Sequence, residues 1–141
     1  MCFCDSRPLR LLSVLLVGIA LTGANCPSEC NCLEHEVSCQ SKNLKNFPQS
    51  LPFHIRYLDI SRNQIKYLPL IELSYLTDLV YLNCSYNIIE KISRLPFLNV
   101  VKLISLDLSH NHLTTISQMT FQTLKSLTML CSGVGLESTV F

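Results

Sequence analysis

Apolar and polar positions alternate along this chain in a pattern that recurs every 24 residues. The pattern reads apolar-x-x-apolar-x-apolar-x-x-Asn-x-apolar-x-x-apolar, and complete copies begin at Ile55, Leu79 and Leu103. The central alternation predicts a short strand with apolar side chains on its inward face. Because every copy supplies one such strand, the chain is expected to build a parallel sheet, one strand per turn of a solenoid.

Apolar residues spaced by three fill the segments between the predicted strands. This spacing predicts short helical turns on the convex side, and it occurs at Leu73, Leu76 and Leu79, at Phe97, Val100 and Leu103, and at Phe121, Leu124 and Leu127. A polar residue also ends each strand. These residues, predicted to satisfy buried backbone groups of neighbouring turns, are Asn63, Asn87 and Asn111.

The side chains between the inward positions are predicted to line the concave face of the sheet. They are Tyr57, Asp59, Ser61, Tyr81, Asn83, Ser85, Ser105, Asp107 and Ser109. Tyrosines on a rigid scaffold offer a large contact area at small entropic cost, which favours a protein-binding face. A solvated strand face remains the alternative for each residue, and the set identifies no ligand.

Four cysteines, Cys26, Cys30, Cys32 and Cys39, precede the first complete repeat. Together with His35 they have spacings that a zinc site can use. In a secreted chain two disulfides are the favoured interpretation, and spacing leaves all three pairings open. The segment 25–54 is therefore predicted to be a cysteine-rich cap on the amino-terminal end of the core.

The amino terminus has the layout of a secretory signal peptide over residues 1–24. Arg7 and Arg10 precede an uncharged apolar run over residues 11–21, which is followed by Thr22, Gly23 and Ala24. Removal of this segment discards Cys2 and Cys4. No later segment has the length of a membrane span, so the mature chain is predicted to be extracellular or lumenal, without a membrane span of its own.

Length and charge narrow the function classes further. The chain has 141 residues, hydrophobic residues make up 48% of them, and 11 basic side chains balance 10 acidic ones to a net charge of +1. That balance provides no electrostatic footprint for nucleic acid. Together with the repeats over 55–126, the composition leads us to predict an α/β repeat solenoid as the fold class.

The carboxy-terminal segment 127–141 departs from the repeat pattern. Leu127 and Leu130 begin a fourth copy, but Ser132 and Gly135 stand where an apolar residue and Asn are expected. Solenoids need terminal caps, so we expect a truncated form of a longer protein, with Leu124, Leu127 and Leu130 partly uncovered. The ending Ser-Thr-Val-Phe resembles a ligand of PDZ-type domains, but a lumenal location disfavours that role.

The repeats match the leucine-rich repeat consensus. The stretches LTDLVYLNCSYNIIEKI and KLISLDLSHNHLTTISQMTFQTLKSL resemble the single-pass auxiliary gamma subunits of large-conductance, calcium-activated-type potassium channels. The resemblance implies disulfides Cys26 to Cys32 and Cys30 to Cys39. It also implies a carboxy-terminal cap, one transmembrane helix and a charged tail in the full-length relative, which is expected at the plasma membrane and whose partner is the pore-forming subunit.

Catalytic chemistry is not expected. Asp59, Asn83 and Asp107 occupy equivalent positions, and His110 and His112 flank Asn111, but the sequence lacks a nucleophile elbow, a phosphate loop or a zinc helix motif. No cofactor and no metal is predicted.

Two further expectations concern single residues. Asn83 begins the glycosylation tripeptide Asn83-Cys84-Ser85, and Cys84 is predicted to be a buried thiol that does not bridge to Cys131. Two functions then compete: a protein-binding ectodomain related to a channel auxiliary subunit, and a freely secreted binding or decoy module.

Overall fold

A computed structural model describes residues 26–92, 97–114, 116 and 118–133 of the chain. The predicted signal peptide and the tail after residue 133 lie outside the described residues. Within the described part, no helix combines the length and the hydropathy required to cross a bilayer.

Six short strands form one sheet whose spatial order follows the chain. They are β1 (Asn31–Leu33), β2 (Glu36–Ser38), β3 (Tyr57–Asp59), β4 (Tyr81–Asn83), β5 (Ser105–Leu108) and β6 (Met129–Ser132). β1 and β2 form an antiparallel hairpin, and every later pair is parallel. The parallel solenoid predicted from the repeats is confirmed.

The register of the sheet follows the 24-residue period. Leu58 lies beside Leu82, Leu82 beside Leu106, and Leu106 beside Leu130. The first three of these leucines are buried, as are Ile60, Cys84 and Leu108 two positions further along each strand. Each strand therefore presents its alternate side chains to one continuous core, which no single repeat could enclose alone.

Short turns return the chain from one strand to the next on the convex side. They comprise the helix α1 (Leu70–Ser74), a 3₁₀ helix (Gln118–Phe121) and a series of turns in which a backbone N–H donates to the carbonyl three residues earlier. Between β4 and β5 these bonds run from Val100 to Phe97 and from Leu103 to Val100, at 3.1 and 3.2 Å. All three side chains are fully buried, and the Phe97 ring stacks on Phe121 at 6.2 Å.

The asparagine of each repeat joins two successive turns through both the nitrogen and the oxygen of its side-chain amide. Asn87 donates from Nδ2 to the carbonyls of Ile60 and Cys84 at 2.9 and 3.1 Å, and its Oδ1 accepts the N–H of Ile65 at 3.0 Å. Asn63 makes the corresponding bonds to the cap, and Asn111 makes them to the second repeat. These contacts give the three asparagines the structural role predicted from the sequence, because they pair backbone groups that the core would otherwise leave unsatisfied.

The amino-terminal cap is held by two disulfides, Cys26–Cys32 and Cys30–Cys39. They are the pairs that the family resemblance implied, and they exclude these four cysteines as zinc ligands. Val37 and Cys39 are buried against the first repeat, so the cap closes that end of the core. His35 is exposed, and its Nδ1 contacts the carbonyl oxygen of His54 at 3.1 Å.

The fourth repeat forms a regular strand despite its departure from the pattern. β6 pairs with β5 over four residues, from Ser105 and Met129 to Leu108 and Ser132. Leu124 is buried, contrary to the expectation that it is partly uncovered. Its N–H donates to the carbonyl of Phe121, and this turn directs both side chains into the core. Leu127 and Leu130 are partly buried and pack against the core, in line with the expectation.

Candidate binding face

The parallel register arranges the outward side chains of the strands in two rows across the concave face. The first row consists of Glu36, Tyr57, Tyr81, Ser105 and Met129. The second row consists of Ser38, Asp59, Asn83, Asp107 and Cys131, of which Asp59 and Cys131 are buried. The two rows contain three carboxylates and no basic side chain.

The structure corrects the predicted face at three of its nine residues. Asp59, Ser61 and Ser85 are buried, with 6%, 1% and 5% of their surfaces exposed. The strands end before position 61 or 85, and the chain then turns inward, so the alternation of a strand no longer applies there. The exposed or half-buried members are Tyr57, Tyr81, Asn83, Ser105, Asp107 and Ser109.

The second-row side chains hold these turns. Oδ1 of Asp59 accepts the N–H of Ser61 at 2.8 Å, and Oδ1 of Asp107 accepts the N–H of Ser109 at 2.9 Å. Oδ1 of Asn83 accepts both the N–H and the hydroxyl of Ser85, at 3.0 and 2.7 Å. A side-chain oxygen that caps a turn two residues later is a local structural device. The recurrence of Asp or Asn at this position thus has a structural reason.

This geometry adds no support for a catalytic site formed by the second-row residues and the two histidines. One side-chain oxygen of each of Asp59, Asn83 and Asp107 is committed to its own turn. His110 stacks on Tyr86, and His112 is exposed. Across the described residues, no group of three or more His, Cys, Asp or Glu side chains could hold a metal ion.

Tyr57 and Tyr81 are the aromatic centre of the first row. Their ring centroids lie 6.2 Å apart with planes inclined by 42°. Tyr81 is 45% exposed and Tyr57 is half-buried. Burial raises the pKa of the Tyr57 hydroxyl, and the negative charges of Asp59 and Glu36 raise it further. The Tyr57 ring therefore lies in a locally negative potential.

Cys84 is fully buried at the inward position occupied by Ile60 and Leu108 in the neighbouring repeats. It is a free thiol, so it forms no bridge to Cys131. Burial raises the pKa of this thiol well above its usual value, and the charges of Asp107 and Asp59 act in the same direction. A neutral, desolvated thiol of this kind is a packing residue.

Sequence reasoning missed two members of the first row. Glu36 lies in the cap strand β2 in register with Tyr57, and Met129 lies in β6 in register with Ser105. Met129 could have been found by adding 24 to Ser105, whereas Glu36 could not, because the cap does not keep the period.

A second missed feature is a stack of side chains beside the asparagines. Arg62, Tyr86 and His110 occupy equivalent positions, and all three have positive φ, between 53° and 56°. The Arg62 guanidinium carbon lies 4.4 Å from the Tyr86 ring centroid, and the His110 ring covers the same tyrosine at 4.1 Å. The 24-residue spacing of the three residues is the signal that could have revealed this stack.

A groove lies where the cap hairpin meets the first row. It encloses about 330 Å³ and is lined by Leu33, Glu34, His35, Glu36, Arg56, Tyr57 and Tyr81. The Nδ1 of His35 faces a carbonyl oxygen, which can only accept a hydrogen bond, so this nitrogen carries the proton and Nε2 is left as an acceptor in the neutral ring. The lining therefore combines two aromatic rings with several hydrogen-bond acceptors.

Three features define the class of the molecule: the repeated strand, the cysteine cap, and the asparagine ladder formed by Asn63, Asn87 and Asn111. The leucine-rich repeat family matches residues 79–131, and its two-copy form matches residues 54–97. The chain is a leucine-rich repeat protein with an N-terminal disulfide cap.

Among curated proteins, the chain is similar to leucine-rich repeat-containing protein 52 of Mus musculus, with 38% identity over 76 residues. That match covers 53% of this chain and 24% of the relative. It is also similar to amphoterin-induced protein 1 of Mus musculus, with 42% identity over 65 residues, which is 43% of this chain and 13% of the relative. The chain thus spans less than a quarter of the length of these relatives.

Among solved structures, the crystal structure of human trophoblast glycoprotein, also called Wnt-activated inhibitory factor 1, superimposes with a TM-score of 0.70. The two chains are 32% identical, and the match covers 79% of this chain and 42% of the other. The fold is therefore shared over most of the chain.

Proposed function

We propose that this chain is an extracellular protein-binding module, that it is not an enzyme, and that the concave face is its contact surface. The observation that carries the proposal is the pair of rows on that face, where Tyr57, Tyr81 and Ser105 lie side by side on strands held in register. The strands are braced by the buried asparagine ladder. A rigid face of this kind loses little conformational entropy on binding.

Within this function we favour an ectodomain related to the auxiliary subunits of large-conductance potassium channels. The support is the resemblance of the stretches over 76–92 and 102–127 to those subunits. The partner would be a protein, such as the pore-forming subunit that a full-length relative contacts. A freely secreted binding or decoy module is the alternative, supported by the cap disulfides, which belong to an oxidising compartment.

The test is partner capture with matched substitutions on and off the face. The full chain is expressed in a secretory host, cross-linked at the cell surface and purified with its partners. Ser105→Arg places a long charged side chain in the first row, whereas Ser126→Arg changes an exposed serine outside both rows. We expect Ser105→Arg to abolish capture and Ser126→Arg to preserve it. Equal capture by the two variants would contradict the concave face as the contact surface.

Co-expression separates the two versions of the proposal. The chain is expressed with a pore-forming subunit of a large-conductance potassium channel, and both surface complex formation and the voltage of half-activation are measured. Co-purification that is lost in Ser105→Arg supports the channel relation. Release of the chain into the medium without that complex supports the secreted alternative.

A further inference from the structure

We infer that the groove between the cap hairpin and the first row binds an arginine side chain of the protein partner. This inference rests on the proposed function and adds to it the place of contact and the chemistry of the contacting residue. The groove is lined by Glu34, Glu36, Tyr57 and Tyr81, together with His35, Leu33 and Arg56.

Charge is the first argument. The groove has two carboxylates against the single guanidinium of Arg56. Within the described part of the chain, ion pairs join Asp78 to His54 and to Lys102, so neither Glu34 nor Glu36 has an ion-pair partner there. The neighbouring second row adds Asp59 and Asp107 without any basic residue. A cationic side chain is complementary to this surface, and an anionic one is repelled.

Shape is the second argument, and it selects arginine among cations. The Tyr57 and Tyr81 rings stand 6.2 Å apart, and in the register of the sheet Tyr57 lies directly beside Glu36, with Tyr81 on the next strand. A planar guanidinium can lie on an aromatic face while its N–H groups donate to a carboxylate. The ammonium group of lysine is more strongly hydrated and has no plane to stack. The exposed Leu33 side chain offers apolar surface for the methylene groups of the ligand.

Hydrogen bonding is the third argument. An arginine presents five donors and no acceptor. The groove supplies acceptors, namely the two carboxylates and the tyrosine hydroxyl oxygens. Burial is the main cause of the raised pKa of Tyr57, and the charges of Asp59 and Glu36 raise it further, in agreement with the same negative potential.

The experiment measures binding of defined peptides to the full secreted chain. The probes are Gly-Ser-Arg-Ser-Gly and its counterparts with Lys or Glu at the central position, observed by saturation-transfer NMR and titrated for a dissociation constant. We expect saturation of the arginine side chain, weaker binding of the Lys peptide, no binding of the Glu peptide, and loss of affinity as salt is raised.

Matched variants locate the site. Glu36 and Tyr81 are exposed, so their substitution is compatible with folding, which circular dichroism checks. Glu36→Gln and Tyr81→Ala should each weaken arginine binding about two- to fivefold, while Tyr81→Phe keeps the ring and should retain it. The controls Glu72→Gln and Tyr67→Ala change exposed residues outside the groove and should leave affinity unchanged.

Three outcomes overturn the inference: no saturable binding of the arginine peptide, equal or tighter binding of the Glu peptide, and equal affinity in Glu36→Gln, Tyr81→Ala and the controls. Because the titration needs no natural partner, its failure removes the arginine site alone. Failure of the unmodified chain to capture any partner, with arginine-peptide binding intact, would instead count against the proposed function.

Discussion

The imidazole ring of His110 lies flat against the ring of Tyr86, with centroids 4.1 Å apart and planes inclined by 12°. Arg62 covers the other face of the same tyrosine at 4.4 Å. All three residues carry a backbone conformation that disfavours side chains with a Cβ. The stack therefore offsets part of a conformational cost that each repeat incurs at this turn.

Removing the central ring should reveal this coupling. We expect Tyr86→Ala and His110→Ala to be non-additive, with a coupling free energy of about 0.5–1.5 kcal/mol. Urea unfolding of the two single variants and the double variant measures it. The same cycle with Tyr67 and His112, exposed residues of the same types, should give a coupling near zero. A coupling of similar size in both cycles would show that the stack contributes nothing specific.

The asparagine ladder gives a graded prediction. Asn87 is 4% exposed and bonds four backbone groups of two turns, whereas Asn111 is half-buried. Asn87→Ala should lower the free energy of unfolding by about 3 kcal/mol or more, because each buried group left unpaired costs about 1–3 kcal/mol. Asn111→Ala should cost less, since water reaches its partners more easily.

Chemical denaturation of these two variants beside Asn99→Ala provides the check. Asn99 is exposed in a turn, so its substitution should change stability by less than about 0.5 kcal/mol. If Asn87→Ala were as stable as Asn99→Ala, the ladder would not be a determinant of stability.

The buried thiol of Cys84 makes stability depend on alkaline pH. Its pKa in the folded chain is raised by burial, so the unfolded chain loses this proton first as pH rises. The stability that the neutral thiol contributes is complete below the ordinary thiol pKa of about 8.5, and it declines above that value by up to about 1.4 kcal/mol per pH unit.

Stability curves between pH 7 and pH 9.5 test this dependence. Cys84→Val replaces the thiol with an apolar group and should flatten the decline in that range. The thiol itself should react with an alkylating reagent only after unfolding. Equal slopes for the parent chain and Cys84→Val, or rapid alkylation of the folded chain, would contradict a buried neutral thiol.

Glycosylation of Asn83 remains a prediction, and the structure shows which part of the concave face a sugar there would cover. Asn83 is half-buried in the second row between Asp59 and Asp107, so a sugar there would cover the centre of the concave face. If the site is used, an amidase that removes N-linked sugars should increase gel mobility. Ser85→Ala should give the same mobility without treatment, and Asn99→Gln should leave the glycosylated mobility unchanged. A parent chain with unaltered mobility after treatment would mean that Asn83 is unmodified.

The 24-residue period was sufficient to predict the strands, their register and the role of Asn63, Asn87 and Asn111, because those features depend on repeated local patterns. It failed at Ser61 and Ser85, where a turn capped by Asp59 or Asn83 replaces the extended strand and buries the serine. The cysteine pairing came from the family resemblance, since spacing alone allows three arrangements. Glu36 and the groove could not be predicted, because they depend on how the aperiodic cap hairpin lies over the first row.

The asparagine ladder also has a direction. The amide of Asn63 bonds the carbonyl of Cys39 in the cap, that of Asn87 bonds Ile60, and that of Asn111 bonds Cys84. Each asparagine thus finds acceptors in the turn that precedes it in the chain. A polypeptide that emerges amino end first would meet a finished template for every new turn, beginning with the disulfide-closed cap. We expect this vectorial order to let the solenoid assemble during synthesis, one turn at a time, without waiting for residues that have not yet been made.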